Sequence, residues 1–277
     1  MTEEFECEEC GRSFDTKRGL SSHRRQAHEG DEVDDRETAR IKISLAGLPA
    51  LASVLLVGIA LGFVAGAASS GFSLDISSNS QSITDKVKGV SSDRVAELMN
   101  ESRQEYMQEL RKDIREAESA GISATPGFVI YSTGSSSGER IMGAQPYRNF
   151  QNAIERQKRG EGGNVSTSTF STSNEPSIGS KDAPVTMVYW YDYQCPFCGR
   201  FEQRVYPQLK KNYVENGELR IVFKDHPFLG KDSRTAALAS NAVWNEYPDR
   251  WIDWHNTVFD SQGKENSGWA SRQNLVG

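Results

Sequence analysis

Cysteine is scarce in this 277-residue chain, and the 32 Lys and Arg residues are outnumbered by 38 Asp and Glu. It has four cysteines, which form two Cys-x-x-Cys pairs, so none is left over for a structural disulfide. The net charge of −6 and a pI near 5.4 provide no global basic field of the kind that attracts nucleic acid. The acidity is local, because residues 1–35 hold five Lys/Arg and eleven Asp/Glu. The length allows one large or two small domains.

Charge is absent altogether from residue 43 to residue 74, and residues 43–68 are mostly apolar. This run exceeds the roughly 20 residues that a helix needs to cross the hydrocarbon core. A cleaved signal peptide is the competing interpretation, but the run is long and follows a predicted folded module. We therefore expect a single transmembrane helix over residues 43–72, preceded by a charged linker at residues 31–42.

The charges that flank this span predict its orientation. Basic residues cluster on its N-terminal side, at Arg36, Arg40 and Lys42, and the first charge after it is Asp75. By the positive-inside rule, the N-terminus is cytoplasmic and everything after the span is extracytoplasmic in a cell membrane. The span also carries three glycines on one helix face, a seam that could form a homodimer, although glycine is common in spans. These are Gly58, Gly62 and Gly66.

The first Cys-x-x-Cys pair belongs to a zinc-finger pattern. Its members are Phe5, Cys7, Cys10, Phe14, Leu20, His23 and His28. Cysteines on a hairpin and histidines one turn apart on a helix bring four ligands to one tetrahedral zinc ion. We expect residues 1–30 to form a small ββα finger of the Cys₂His₂ type with structural zinc, rather than two unrelated pairs. Its base-reading positions would be Thr16, Gly19 and Ser22, which are poor readers, so contact with protein or a stabilising role is favoured over nucleic acid.

The second pair, Cys195 and Cys198, follows an apolar run at residues 185–191 that predicts a buried strand. A segment of helical character, residues 199–213, comes next. The free N–H groups and positive dipole at a helix start favour a thiolate on the first cysteine. Cys195 is therefore the expected nucleophile and Cys198 the resolving thiol of a redox site. Half a zinc site is the alternative, but it would need a second free pair of ligands.

The region before this pair has a different pattern. Residues 93–120 have the apolar spacing of a long helix, and the pattern predicts a strand that starts at Pro126, directly after Thr125. A proline at that place is explained if the Thr125–Pro126 bond is cis and faces a cysteine pair; an ordinary trans turn is the alternative. Residues 159–182 are rich in Gly, Ser and Thr and lack periodicity, which predicts a flexible linker.

Residues 183–277, with Asp192-Tyr-Gln-Cys-Pro-Phe-Cys198 and Phe223-Lys-Asp-His-Pro-Phe228, resemble the first half of a DsbA-like thioredoxin-fold oxidoreductase. Residues 83–158, with Thr125-Pro-Gly-Phe128, resemble its second half. The resemblance implies an α/β thioredoxin fold with a helical insertion, in circularly permuted order. Two separate incomplete domains are the alternative. If the halves complete one another, Gly277 lies near Ile83 and Pro126 packs on Cys195. By resemblance, Pro126 is the cis-proline of the active site and Thr125 its substrate-contacting neighbour.

The resemblance implies a membrane-anchored enzyme that forms or exchanges disulfides in extracytoplasmic, cysteine-containing proteins and is recycled by a membrane redox partner. Its redox site needs no cofactor besides its own disulfide. A reductase or isomerase of the same fold, or a redox-sensing adaptor acting through the finger, are the rival functions. Phe197 occupies the position where relatives often carry histidine. The sequence therefore does not decide whether this site is a strong oxidant.

The sequence also does not decide which group transfers a proton to Cys198. The position where relatives often place a buried carboxylate holds Tyr189, which leaves water, Asp192 or Lys224 as candidates. The two histidines of this half, His226 and His255, are expected to be structural rather than catalytic.

Overall fold

The structure is a computed structural model, and it describes Phe5–Glu6, Ser13–Phe14 and residues 81–277. The chain divides into two units, Met1–Phe72 and Ser73–Gly277. In the first unit, strands β1 (Phe5–Glu6) and β2 (Ser13–Phe14) pair antiparallel, with Phe5 opposite Phe14. The segment that connects these strands contains the first cysteine pair.

The predicted zinc ligands, membrane span and glycine seam lie outside the described residues. They comprise Cys7, Cys10, His23, His28, residues 43–72, Gly58, Gly62 and Gly66. Among the helices that the structure describes, none combines the length and the hydropathy required to cross a bilayer.

A six-stranded sheet organises the second unit. Its strands are β3 (Gly127–Ser132), β4 (Ser137–Met142), β5 (Val165–Ser166), β6 (Ser177–Ile178), β7 (Val185–Tyr191) and β8 (Leu219–Asp225). Their order across the sheet is β5-β4-β3-β7-β8-β6. Neighbours pair antiparallel except β7 and β8, which are parallel. Since β3 pairs with β7 along its whole length, the segments before and after the predicted linker share one sheet.

Helices cover this sheet. They are α1 (Ser92–Glu101), α2 (Arg103–Ser119), α3 (Tyr147–Lys158), α4 (Pro196–Arg204), α5 (Tyr206–Leu209), α6 (Lys231–Glu246), α7 (Trp251–Asp260) and α8 (Arg272–Val276). The single helix predicted over residues 93–120 is two helices, separated at Ser102, whose backbone leaves the helical region. The break lets α1 pack on α6 and α8 while α2 packs on α6 and β8.

Strand β7 is buried on both faces, which is why its sequence is a continuous apolar run. Met187, Tyr189 and Tyr191 join the larger hydrophobic cluster, together with residues of α1, α3, α4, α6 and α7. Val188 and Trp190 join a smaller cluster on the opposite face. This alternation follows from the two-residue period of a strand.

The segment 159–182, for which the sequence predicts a flexible linker, contributes two short strands to the sheet. We call it the strap. It supplies β5 and β6, which pair with β4 and β8 at the two edges of the sheet. Phe170 of the strap is buried and packs edge-on against Trp190, with ring centroids 5.4 Å apart. Such short strands and a single aromatic anchor leave no periodic signal in the sequence.

The C-terminal residues lie beside the start of the described domain. The backbone N–H of Ile83 donates to the carbonyl of Asn274 at 2.8 Å. Leu275 and Val276 are buried in the same cluster as Ile83. This places the end of the chain close to Ile83, where the permuted arrangement expects it.

Candidate active site

Cys195 lies at the junction between strand β7 and helix α4. Strand β7 ends at Tyr191, and after a short loop Cys195 is the N-cap residue of the helix. Pro196 takes the first helical position, where a missing N–H has no cost. The Cys195 carbonyl accepts the first helical bond, from the N–H of Gly199 at 3.1 Å. Its sulfur therefore faces the unpaired amides of the first turn.

This environment lowers the pKa of the Cys195 thiol from 9.0 to about 6. The largest cause is the hydrogen bond from the Cys198 thiol, and burial opposes it. The Thr125 side chain and the backbone amides of Cys198 and Phe197 lower the pKa further. Reduced Cys195 is consequently a thiolate at neutral pH, which is the nucleophilic form.

Cys198 has the opposite character. It is completely buried one turn into α4, and both cysteines are free thiols. Burial raises the pKa of Cys198 well above its usual value, and the neighbouring Cys195 raises it further. The site therefore pairs a stabilised thiolate with a protonated thiol. This asymmetry suits Cys195 to attack and to leave, and Cys198 to resolve.

Thr125 and Pro126 meet the cysteines from the other half of the sequence. The Thr125–Pro126 bond is cis, and β3 begins directly after it. The Cys195 Sγ lies 3.3 Å from the Thr125 carbonyl oxygen, across 70 residues of sequence. The structure thus brings together the four residues that the sequence singled out for this site.

Gln262, which sequence reasoning missed, fixes the backbone around Cys195. Its Nε2 donates to the carbonyls of Tyr193 and Cys195, at 2.6 and 3.0 Å. Gly199 makes room for it, since a Cβ at that position would overlap the Gln262 amide. No local pattern marks Gln262, because it follows α7 in an irregular segment.

Asp192 and Lys224, the two candidate proton donors, are engaged elsewhere. Asp192 anchors loops by accepting the backbone N–H groups of Gln194, Phe228 and Leu229 at 2.8–3.0 Å. The Lys224 ammonium is buried among three carboxylates of α2 and the strap. These are Asp113, Glu116 and Glu175, at 2.6, 2.8 and 2.7 Å.

Two large aromatic side chains are exposed in the described domain. Phe197, between the two cysteines, is 50% exposed, and Phe228 is 41% exposed. Arg200 stacks its guanidinium over the Phe197 ring, 4.9 Å from the centroid. The exposed Phe197 ring therefore places an apolar surface between the two cysteines in sequence.

The chain matches the family model described as Thioredoxin over residues 171–274. It is 36% identical over 114 residues to disulfide bond formation protein D of Bacillus subtilis, covering 41% of this chain and 51% of that protein. It is 33% identical to the probable disulfide bond formation protein D of Bacillus anthracis, covering 39% and 49%. The chain thus spans about half the length of these curated relatives.

Among solved structures, the chain is similar to a crystal structure of oxidised BdbD from Bacillus subtilis. The two sequences are 35% identical, the TM-score is 0.35, and the match covers 38% of this chain and 61% of that one. The prediction of an α/β fold of the thioredoxin type is confirmed by the family match and by the sheet. In sequence, the chain is therefore similar to proteins of the thioredoxin family over residues 171–274, and to disulfide bond formation proteins over 114 residues.

Proposed function

We propose that this protein is a membrane-anchored thiol–disulfide oxidoreductase that donates disulfides to cysteine-containing proteins outside the cytoplasm. One observation carries the proposal: a low-pKa Cys195 touches a buried, high-pKa Cys198 at a helix start. An oxidant of this type depends on a first cysteine that leaves readily as a thiolate. The similarity to disulfide bond formation proteins agrees with it.

The reaction begins with the Cys195–Cys198 disulfide. A substrate thiolate attacks the Cys195 sulfur, the Cys195–Cys198 bond breaks, and Cys198 leaves and takes up a proton. The substrate's second thiolate then attacks the substrate sulfur of this mixed disulfide. Cys195 leaves as a stable thiolate, and two electrons have passed from the substrate dithiol to the enzyme. A membrane redox partner would reoxidise the pair.

Substrate capture uses the surface around Cys195. Phe197 and Phe228 offer apolar contact to cysteine-containing segments that are not yet folded. Thr125 lies against the attacked sulfur, where a bound segment would meet it.

The membrane anchor and the zinc finger complete the proposal. The uncharged run at residues 43–74 supports a single span with the redox domain outside. Antiparallel pairing of Phe5 with Phe14 supports the hairpin of a Cys₂His₂ finger. The finger would hold structural zinc through Cys7, Cys10, His23 and His28, in the cytosol, where thiolates stay reduced.

We also propose that the redox domain is circularly permuted, with residues 83–158 supplying the second half of the fold. The shared sheet supports it, because β3 precedes β7 in sequence yet pairs with it along its whole length, and β4 pairs with β3. The family match is confined to residues 171–274, as expected if the second half of the fold comes earlier in the sequence.

The test is the reduction potential of the Cys195–Cys198 pair, measured in the full chain by equilibration with glutathione. We expect roughly −120 to −180 mV, the range of known disulfide oxidants and isomerases. A value near roughly −270 mV would turn the assignment to a reductase. In a parallel assay of oxidative refolding, Cys195→Ser should abolish activity and the matched control Cys7→Ser should retain it. The reverse pattern would favour the adaptor.

A further inference from the structure

The strap contains an Asn-x-Ser sequon that the redox chemistry does not use. It consists of Asn164, Val165 and Ser166, and its middle residue is not proline, as an acceptor site for an N-linked glycan requires. A second triplet of the same pattern begins at Asn100. Because the motif is short, it also occurs by chance, and the local structure distinguishes the two sites.

Strand geometry presents the two recognised groups of the strap sequon together. Asn164 directly precedes β5, in which Val165 pairs with Gly138 and Ser166 pairs with Ser137. Successive side chains of a strand point to opposite faces. Val165 is buried in the smaller hydrophobic cluster, whereas Asn164 and Ser166 are exposed. The acceptor amide and the sequon hydroxyl therefore both face solvent, on either side of an inward-facing valine.

The surrounding contacts fix the chain at this place and leave the sequon accessible. Gly163 passes so close to the β4 backbone that a Cβ on it would overlap the carbonyl group of Gly138. The Ser166 hydroxyl lies 2.9 Å from the hydroxyl of Ser168, which is also exposed. Water replaces a contact between two exposed hydroxyls at little cost. Asn164 and Ser166 are thus free to meet a transferase.

The other sequon has the opposite geometry. Asn100 lies in the last turn of α1, and Ser102, which carries its sequon hydroxyl, is the residue at which α1 ends. Each residue of an α-helix is rotated by about 100° from the one before, so side chains two residues apart point about 200° apart. A transferase that contacts the amide and the hydroxyl at once finds them on opposite sides of α1. Asn100 is therefore an internal control for Asn164.

Resting on the proposed function, which places this domain outside the cytoplasm, we propose that Asn164 carries an N-linked glycan and that Asn100 does not. The donor is an oligosaccharide linked through phosphate to a membrane lipid. The amide nitrogen of Asn164 bonds to the anomeric carbon of the first sugar as the bond from that carbon to the phosphate oxygen breaks. The lipid phosphate leaves with the electron pair, the amide nitrogen loses one proton, and no group is oxidised or reduced.

The glycan lies far from the redox site. β5 is an edge strand, separated from β7 by β4 and β3. It pairs with the start of β4, whereas Gly127, which follows the cis-proline, pairs with Met142 at the end of β4. The attached sugars therefore cover a sheet edge whose unpaired backbone groups would otherwise invite pairing with another chain. Access to Cys195 stays open.

The test is mass spectrometry of the full chain, isolated from its native membranes and digested with trypsin. We expect the peptide of residues 160–181 to carry sugar on Asn164 and the peptide of residues 95–103 to carry none. Asn164→Gln and Ser166→Ala should each abolish the modification, whereas Ser166→Thr should retain it. Ser168→Ala, a matched control outside the sequon, should also retain it.

An unmodified peptide 160–181, or sugar that remains on it after Asn164→Gln, overturns the inference. Two parallel measurements separate this result from a failure of the proposed function. Protease added to intact spheroplasts should cut the domain that follows the span, and Asn164→Gln should oxidise a peptide dithiol at the unaltered rate. An unmodified chain that meets both expectations overturns only the glycan. A domain that the protease reaches only after lysis overturns the proposed location together with the glycan.

Discussion

The hydrogen bond from Cys198 is the largest cause of the low pKa of Cys195, and deleting it is a direct test. Cys198→Ala removes the donor and keeps the helix start intact. A hydrogen bond to a charged group contributes about 1.5–3 kcal/mol, and about 1.4 kcal/mol corresponds to one pKa unit. We expect the pKa of Cys195 to rise from about 6 to between roughly 7 and 8. At pH 7 the thiolate fraction then falls from about 90% to between about 10% and 50%.

The assay is the rate of alkylation of the reduced full chain by iodoacetamide as a function of pH, with modification at Cys195 quantified by mass spectrometry. Only the thiolate reacts, so the rate rises with pH and levels off above the pKa. The profile of Cys198→Ala should level off at higher pH than that of the unaltered chain. Thr125→Val should move it in the same direction by less, and Tyr206→Phe should not move it.

Two outcomes would refute this reasoning. An unaltered chain that titrates near pH 9 would show that the helix start and the paired thiol do not stabilise the thiolate. A Cys198→Ala profile that coincides with the unaltered one would assign the low pKa to the backbone amides alone.

Two further predictions concern stability, each measured by urea denaturation followed by tryptophan fluorescence. Lys224→Met leaves the buried Asp113 carboxylate and the partly buried Glu116 and Glu175 without their cation, so we expect a loss of about 3–5 kcal/mol. The exposed pair removed by Lys158→Met should cost less than about 1 kcal/mol, and equal losses would contradict a stabilising role for the buried lysine. Phe170→Ala should lose about 3–5 kcal/mol because its ring covers Trp190, whereas the exposed Phe197→Ala should lose almost nothing. An unchanged Phe170→Ala would show that the strap contributes no packing energy.

Local pattern was sufficient for the parts of the site that are contiguous in sequence. The apolar run of β7, the Cys-x-x-Cys pair and the proline at the next position together predict a strand, an N-cap and a helix, because each depends on neighbours within one turn. The Thr125–Pro126 pair was likewise visible, since a proline at a strand start is unusual enough to require an explanation.

Tertiary structure decided the groups that act through distant neighbours. Gln262 contacts Cys195 across 67 residues of sequence, and Lys224 contacts Asp113 across 111 residues. No periodic pattern in the sequence predicts either contact. Glu202 is the single acidic residue of α4, and only the packing of α7 places His255 against it. The strap is polar in composition, yet its backbone pairs with both edges of the sheet. Sequence pattern reports which face of an element is buried, whereas the partner buried against that face is chosen only when the whole chain packs.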